Sequence, residues 1–269
     1  MSRQFYDQGQ TGSAAEAYER YFVPAIGRPI AQDLIEAAAL RRGERVLDVA
    51  CGTGVVTRLA AECVGDAGSV TGLDVDASML QIARSAAPAE ASIAWRETTA
   101  EQMPYEDERF DVVLCQMGLQ FIQDKLAALR ELRRVLAPGG RVVLNVPGPT
   151  PPMFSIMADA LARHIDPEVA SRMHLVFSLS DPTKLRELLS NAGFNEIKTS
   201  LAIKSLHLPP AEQFLWQYIS ATPLSMAFAE VNDETRTALE RDVCEKWQEF
   251  RVDGKLTLEV SMTMATARK

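Results

Sequence analysis

An α/β fold, built on a doubly wound and mostly parallel sheet with a helical cap, is what this sequence predicts. Three observations predict it. Strand-like and helix-like runs alternate from about residue 44 onward. The strand-like runs are apolar along their whole length, as strands covered by helices on both faces must be. After Pro147 a proline-rich exit, "PGPTPPMF", leaves this rhythm and leads into apolar helical runs. With 269 residues the chain can bury one main domain and a smaller elaboration.

The elements follow in order. Residues 1–40 read as an N-terminal helical segment. Residues 41–148 read as the sheet-forming core: "RVLDVA" is a buried strand, "GVVTRLAAECVG" a helix, "SVTGLDVD" a strand, "SMLQIARSAA" a helix, "ASIAWRET" a strand and "RFDVVLCQ" a fourth strand. Then "DKLAALRELRRVLA" is an amphipathic helix stopped by Pro138, Gly139 and Gly140, and "RVVLNVP" the strand after it. Residues 149–180 form a cap insertion around "MFSIMADALARHI". Residues 181–269 complete the sheet and add cap elements: Asp181 caps a helix opening at Pro182 and ending at Gly193, "NEIKTSLAIKSL" is a strand, about 209–252 is helical, and "KLTLEVSMTMATARK" is the closing strand.

Composition narrows the function. The formal net charge is -8 and the pI near 5.1, so the chain has no broad basic surface for phosphates, and nucleic-acid binding is not expected. Cys51, Cys63, Cys115 and Cys244 form no C-x-x-C pair and have no histidine at zinc-ligand spacing, so reduced thiols and no metal site are expected. The start "MSRQFYDQGQTG" is polar, and no segment approaches the roughly 18 apolar residues of a membrane span, which reads as a cytoplasmic protein.

The stretch "VLDVACGTG" carries the first functional signal. In an open parallel sheet, ligands bind beyond the carboxyl ends of the strands. There Gly52 and Gly54 lack a Cβ and let backbone approach a ligand, while the helix from about Val55 aims unpaired N–H groups at an anionic group. Asp74 ends the next strand about 20 residues later, where such folds place an acid for ribose hydroxyls. An ordinary tight turn with Asp74 as a helix cap is the plainer alternative. A dinucleotide fingerprint, G-x-G-x-x-G, would need glycine where Thr57 stands, which counts against an NAD(P)-dependent oxidoreductase.

"VLDVACGTG", "VTGLDVDASMLQIAR", "TAEQMPYEDERFDVVLCQMGLQF" and "ALRELRRVLAPGGRVVL", in that order, resemble the motifs of class I S-adenosylmethionine-dependent methyltransferases, in particular the ubiquinone and menaquinone C-methyltransferase branch. The resemblance spans roughly residues 40–148, with "AGF" near residue 193 in support. It implies a Rossmann-like methyltransferase fold, S-adenosylmethionine as cofactor and a small-molecule acceptor. By position it implies that backbone from Ala50 through Gly52 to Gly54 holds the methionine end, with Thr53 and Asp48 near its amine and carboxylate. It places Asp74 on the ribose, Thr99 and Ala100 beside the adenine, and Gln116 near the methionine amine. Thr99 stands where the family often has Asp or Asn. Ala50 replaces a glycine, which the loop tolerates if φ there is negative.

Methyl transfer from a sulfonium is an in-line displacement, and alignment alone can supply roughly 7–11 kcal/mol. The stretch "CQMGLQFIQD" offers Gln116 and Gln120 where a base would be convenient, with no histidine and no acid before Asp124. Gln120 reads equally as a loop edge or a substrate contact. His164, His174 and His207 all follow the core motifs, and His174 is the candidate base, although a surface histidine is the commoner reading. No residue is singled out as catalytic. The methionines and aromatics of the cap read first as core and second as the lining for an apolar or aromatic acceptor. In "AEAYERYF", Tyr18, Tyr21 and Phe22 read as packing against the sheet, or else as closing over the cofactor. The expected function is a small-molecule C- or O-methyltransferase. A cofactor-binding regulator without turnover is the non-enzymatic alternative.

Overall fold

Strand formation follows the apolar runs. The computed structural model describes residues 13–269, so the polar stretch of the first twelve lies outside the described residues. The core strands are β1 (Arg45–Val49), β2 (Ser69–Asp74), β3 (Ile93–Glu97), β4 (Phe110–Gln116), β5 (Leu136–Pro147), β6 (Asn195–Leu208), β7 (Arg251–Val252) and β8 (Lys255–Arg268). They form one eight-stranded sheet in the order β3-β2-β1-β4-β5-β8-β6, with β7 paired to β8. β1 pairs in parallel with β2 and β4, β2 with β3, and β4 with β5, whereas β8 runs antiparallel to β5. The strand order reverses between β1 and β4, running outward to β3 on one side and to β5 on the other, and this makes the switch point at which such sheets bind ligands.

The chain divides into two compact units, each described here by itself: residues 28–148, 179–202 and 262–269 make one, and 13–27 with 149–178 and 203–261 the other. The first unit holds the parallel sheet. Its helices are α2 (Arg28–Ala38), α3 (Val55–Val64), α4 (Ala77–Ala86), α5 (Lys125–Val135) and α8 (Pro182–Asn191), the label α1 being kept for Ala14–Ala17 in the second unit. In α5, Ala128, Leu129, Leu132 and Val135 recur at helical spacing and are buried, and Asp124 caps its start by accepting from Ala127 N at 2.9 Å. Asp181 caps α8 in the same way, and Gly193 beyond it has φ +87°, the left-handed conformation that favours glycine after a helix.

One boundary departs from expectation. Pro138 to Gly140 do not separate helix from strand: β5 already begins at Leu136, which pairs with Phe110 before a register shift resumes pairing at Val112–Arg141. The irregularity absorbs the proline and places Gly139 at φ +73°.

The second unit is mainly helical. It contains α1, a π-helical turn run over Tyr18–Gly27, α6 (Pro152–His164), α7 (Pro167–Val176), α9 (Ala211–Ser220) and α10 (Asp233–Lys246). The methionines and aromatics here are mostly core, including Met153, Phe154, Met157, Met173, Phe177, Phe214, Trp216, Tyr218 and Phe228, whereas Met226 is 76% exposed. Phe22 stacks on Tyr18 at 4.6 Å between centroids and meets Tyr218 at 6.3 Å, so its ring packs against α9. Trp247 is buried and donates from Nε1 to the Met153 carbonyl at 3.0 Å, which satisfies the only polar atom of its side chain. Among the described residues no helix is long and apolar enough to cross a membrane.

Candidate cofactor-binding site

The loop that follows β1 is shaped by close contacts on both sides. Ala50 has φ +55°, so the expectation of a negative φ at this alanine is corrected. Its methyl group accounts for a second residue: a Cβ placed on Gly118 would lie 2.5 Å from Ala50 Cβ and 3.1 Å from Cys115 Sγ. The left-handed turn brings the chain out of β1 directly against the chain leaving β4. There Met117 is also left-handed, at φ +46°. Left-handed alanine and methionine cost energy that surrounding contacts must offset. At Met117 those contacts are visible: its N–H lies 3.0 Å from the Asn145 carbonyl and 3.1 Å from Asn145 Oδ1, and its carbonyl accepts from Gln120 Nε2 at 2.8 Å.

Gln120 is buried and braces the turn after β4 through its Nε2, so it is not a loop edge, and its Oε1 is buried without a hydrogen-bond partner among the described residues. Gln116 is the last residue of β4, not the first beyond it, and is half-buried beside Asn145 in register.

Gly54 has a different reason to be glycine from the one the motif implies. It caps α3 at φ +83°, and a Cβ there would lie 2.5 Å from Trp95 Cη2, so the free space belongs to an indole ring of β3. The same ring covers Gly72 of β2, where a Cβ would meet it at 2.6 Å. Gly52, at φ +54°, remains the glycine whose backbone faces Asp74: its N–H donates to Asp74 Oδ2 at 2.7 Å.

Asp74 also accepts from Asp76 N at 3.0 Å through Oδ1. It is not the cap of the following helix. Asp76 takes that role, accepting from Ser78 N at 2.8 Å and Met79 N at 3.3 Å, which leaves Asp74 at the strand end with lone pairs to spare. Burial raises the Asp74 carboxyl above its ordinary value, partly countered by the backbone N–H groups of Asp76, Gly52 and Val75.

Asp48, on β1, is 1% exposed and accepts from the Thr57 hydroxyl at 2.6 Å. Burial is the main reason its carboxyl is pushed up to about 7, with Asp74 adding to the rise and Thr57 opposing it. Thr57 thus fills the place a third glycine would take with a side chain tied into the loop's own hydrogen bonding. Thr53 Oγ1 is buried without a hydrogen-bond partner among the described residues, while its carbonyl accepts from Arg58 Nη1 at 2.6 Å. Ala100 is buried and Thr99 exposed, just beyond β3, where Thr98 N donates to the Asp74 carbonyl at 3.0 Å.

The structure gathers Asp48, Ala50, Gly52, Thr53, Gly54 and Asp74 at the carboxyl ends of β1 and β2, with Gln116 at that of the adjacent β4. The histidines lie in the other unit. His164 is 3.1 Å from Asp242 Oδ2, in a cluster with Arg163 and Lys246, and His174 and His207 are exposed. All four cysteines are free thiols, and burial raises Cys115 and Cys244 to about 12, which makes them inert. A cavity of about 420 Å³ opens at the opposite, amino-terminal edge of the sheet, lined by the Arg141–Glu44 pair and by Asp111.

Comparison with known proteins agrees with this geometry. Residues 47–144 match the model of a methyltransferase domain. The ubiquinone/menaquinone biosynthesis C-methyltransferase UbiE of Pectobacterium carotovorum is 35% identical over 178 residues, 61% of this chain and 71% of the relative. The demethylmenaquinone methyltransferase of Staphylococcus haemolyticus is 34% identical over 168 residues, 58% of this chain and 70% of the relative. Among solved structures, Haemonchus contortus phosphoethanolamine N-methyltransferase 2, in complex with S-adenosylhomocysteine, has a TM-score of 0.62 at 21% identity over 100% of this chain and 60% of its own. YcgJ of Bacillus subtilis has a TM-score of 0.59 at 19% identity, covering 89% of this chain and 97% of its own. At these identities the two structures speak for the fold alone. A methyltransferase domain over β1 to β5 also removes the oxidoreductase alternative. The chain belongs to the class I S-adenosylmethionine-dependent methyltransferases, and is an enzyme of that family with S-adenosylmethionine as its methyl donor.

Proposed function

We infer that this methyltransferase methylates a ring carbon of a small quinone-type acceptor. The reading is supported by relatives at 34–35% identity that are named for ubiquinone and menaquinone biosynthesis. The structural observation that carries the donor site is the pair formed by Asp74, bonded to Gly52 N–H but not committed to a helix cap, and Thr53, whose buried hydroxyl oxygen has no partner among the described residues. Both atoms suit a ligand with ribose hydroxyls and an amino acid end. Asp74 would accept from the ribose hydroxyls. Backbone from Ala50 to Gly54, with Asp48 and Thr53, would hold the methionine end, Thr99 and Ala100 would border the adenine, and Gln116 would lie near the amine. When bound, the cofactor supplies an electrophilic methyl group on a positively charged sulfur.

The chain's own contribution is positioning. The end of β4 offers Gln116 and a buried Gln120 already bonded to Met117, neither of which can remove a proton. A quinol ring is itself a carbon nucleophile: the new carbon–methyl bond would form as the sulfur–methyl bond breaks, and the displaced ring proton would pass to water, so alignment accounts for the rate without a strong base from the chain. The experiment is transfer of isotope-labelled methyl from S-adenosylmethionine to demethylmenaquinol, with Gly52→Val as control. Label in a ring carbon, lost in the variant while its circular dichroism stays native, is expected. Donor binding without label in that acceptor would overturn the acceptor assignment.

A further inference from the structure

The chain leaves two neighbouring parallel strands through left-handed residues that are not glycine. β1 and β4 pair over Val46–Asp48 and Val112–Leu114. Beyond them Ala50 has φ +55° and Met117 φ +46°. The two turns lie against each other, since a Cβ on Gly118 would lie 2.5 Å from the Ala50 Cβ. A left-handed methionine relaxes to an ordinary conformation unless its surroundings over-determine it. At Met117 the peptide planes on both sides of the Cα are gripped. The plane before it presents its N–H to the Asn145 carbonyl at 3.0 Å and to Asn145 Oδ1 at 3.1 Å. The plane after it, which leads into Gly118, presents its carbonyl to Gln120 Nε2 at 2.8 Å. Fixing both planes fixes φ and ψ between them.

Core stability alone does not explain these two amides. Asn145 and Gln120 are each 1% exposed. The Asn145 side chain shares an N–H that its own carbonyl already accepts, and its Nδ2 is buried with no hydrogen-bond partner among the described residues. Gln120 Oε1 is left in the same condition. Each such atom carries a desolvation cost that an apolar side chain of the same shape would avoid. The cost is accounted for if one backbone geometry at Met117 serves the site. We propose that Gln120 and Asn145 are positioning residues for the methyl donor: by holding Met117 left-handed they hold Gly118 against Ala50, and so keep the turn from Ala50 to Gly54 in the form that receives the donor. The inference rests on the donor site assigned above. Both residues act through Met117 and Gly118, not by contact with the ligand. Without their grip Met117 relaxes, the receptive turn becomes a minor population, and apparent affinity falls by that fraction.

The test is calorimetric binding of S-adenosylhomocysteine by the wild type, by Gln120→Met and by Gln120→Met combined with Met117→Gly, each with its melting temperature. Gln120→Met keeps the length of the side chain and removes the amide, and is expected to weaken binding about tenfold, equivalent to about 1.4 kcal/mol. Glycine adopts a positive φ without steric cost, so the double variant is expected to bind within about threefold of the wild type. Its melting temperature is expected to fall further, because a half-buried methionine side chain is lost. Restored binding in a less stable protein separates positioning from stabilisation. Asn145→Ala, with and without Met117→Gly, takes the place of Gln120→Met if that variant does not fold. A lower melting temperature with unchanged affinity, or an affinity that Met117→Gly does not restore, would overturn the inference while leaving the donor site intact. No binding by the wild type would remove the donor site itself, and this inference with it.

Discussion

Replacing Gly118 by alanine tests the contact on which the loop is built. Gly118 has φ -104°, a conformation open to any residue, so the objection to alanine is steric alone. The added methyl would lie 2.5 Å from Ala50 Cβ, well inside van der Waals contact, and 3.1 Å from Cys115 Sγ. Overpacking of this kind costs roughly 1–3 kcal/mol. Ala50→Gly alone removes a left-handed alanine, worth about 1 kcal/mol, but frees the unfolded chain by a similar amount, so it should be nearly neutral. Combining the two gives the new methyl the space of the old one. The double variant should recover about 1–2 kcal/mol relative to Gly118→Ala, leaving only the closer approach to Cys115. Urea denaturation of the four proteins in a double-mutant cycle measures this coupling. Additive effects, with the double variant no more stable than Gly118→Ala, would refute the reasoning.

Three further outcomes are expected. Gly72→Ala should destabilise the fold by about 1–3 kcal/mol, because its Cβ would press on the Trp95 ring at 2.6 Å, and Trp95→Leu in the same background should restore part of the loss in thermal denaturation. Asp48 should make stability fall as pH rises: its unfolded carboxyl ionises near 3.8 while the folded one keeps its proton to about 7, so between these values the folded state holds the extra proton. Its contribution should diminish by about 1.4 kcal/mol per pH unit across that window, and the difference in stability between wild type and Asp48→Asn, followed by urea unfolding from pH 4 to 7, should show that slope; a flat difference would contradict it. Asp74→Ala should weaken S-adenosylhomocysteine binding by about 1.5–3 kcal/mol, the range for hydrogen bonds to a charged group, with unchanged calorimetric affinity counting against the ribose contact.

The core strands and the loop after β1 are legible in the sequence because buried parallel strands need uninterrupted apolar runs and because glycine marks the turns between them. Asp74 is legible by its spacing from the loop. What escapes is set by contacts between residues far apart in the chain. Nothing local to "ACGTG" shows that Trp95, some forty residues on, occupies the space beside Gly54, or that the missing Cβ of Gly118 accommodates a left-handed Ala50. A rule about glycine and φ points to a negative φ at Ala50, and tertiary contacts override it. The role of Thr57 follows the same pattern. Its misfit to a dinucleotide fingerprint can be read directly, whereas its hydrogen bond to Asp48 depends on how α3 returns over β1. The paired start of β5 is hidden for a related reason: Pro138 and two glycines read as a break, and only Phe110 across the strand shows that pairing begins before them.

The central claim is that the turn from Ala50 to Gly54 and the acid at Asp74 form one site for S-adenosylmethionine. A crystal structure of the protein with S-adenosylhomocysteine tests it most directly. The expected result is ribose hydroxyls hydrogen-bonded to the Asp74 carboxylate, with the amino acid end against the backbone of Gly52 and Thr53 and the Thr53 hydroxyl satisfied. A ligand bound at any other edge of the sheet, or a ribose that leaves Asp74 bonded only to Gly52 and Asp76, would contradict it.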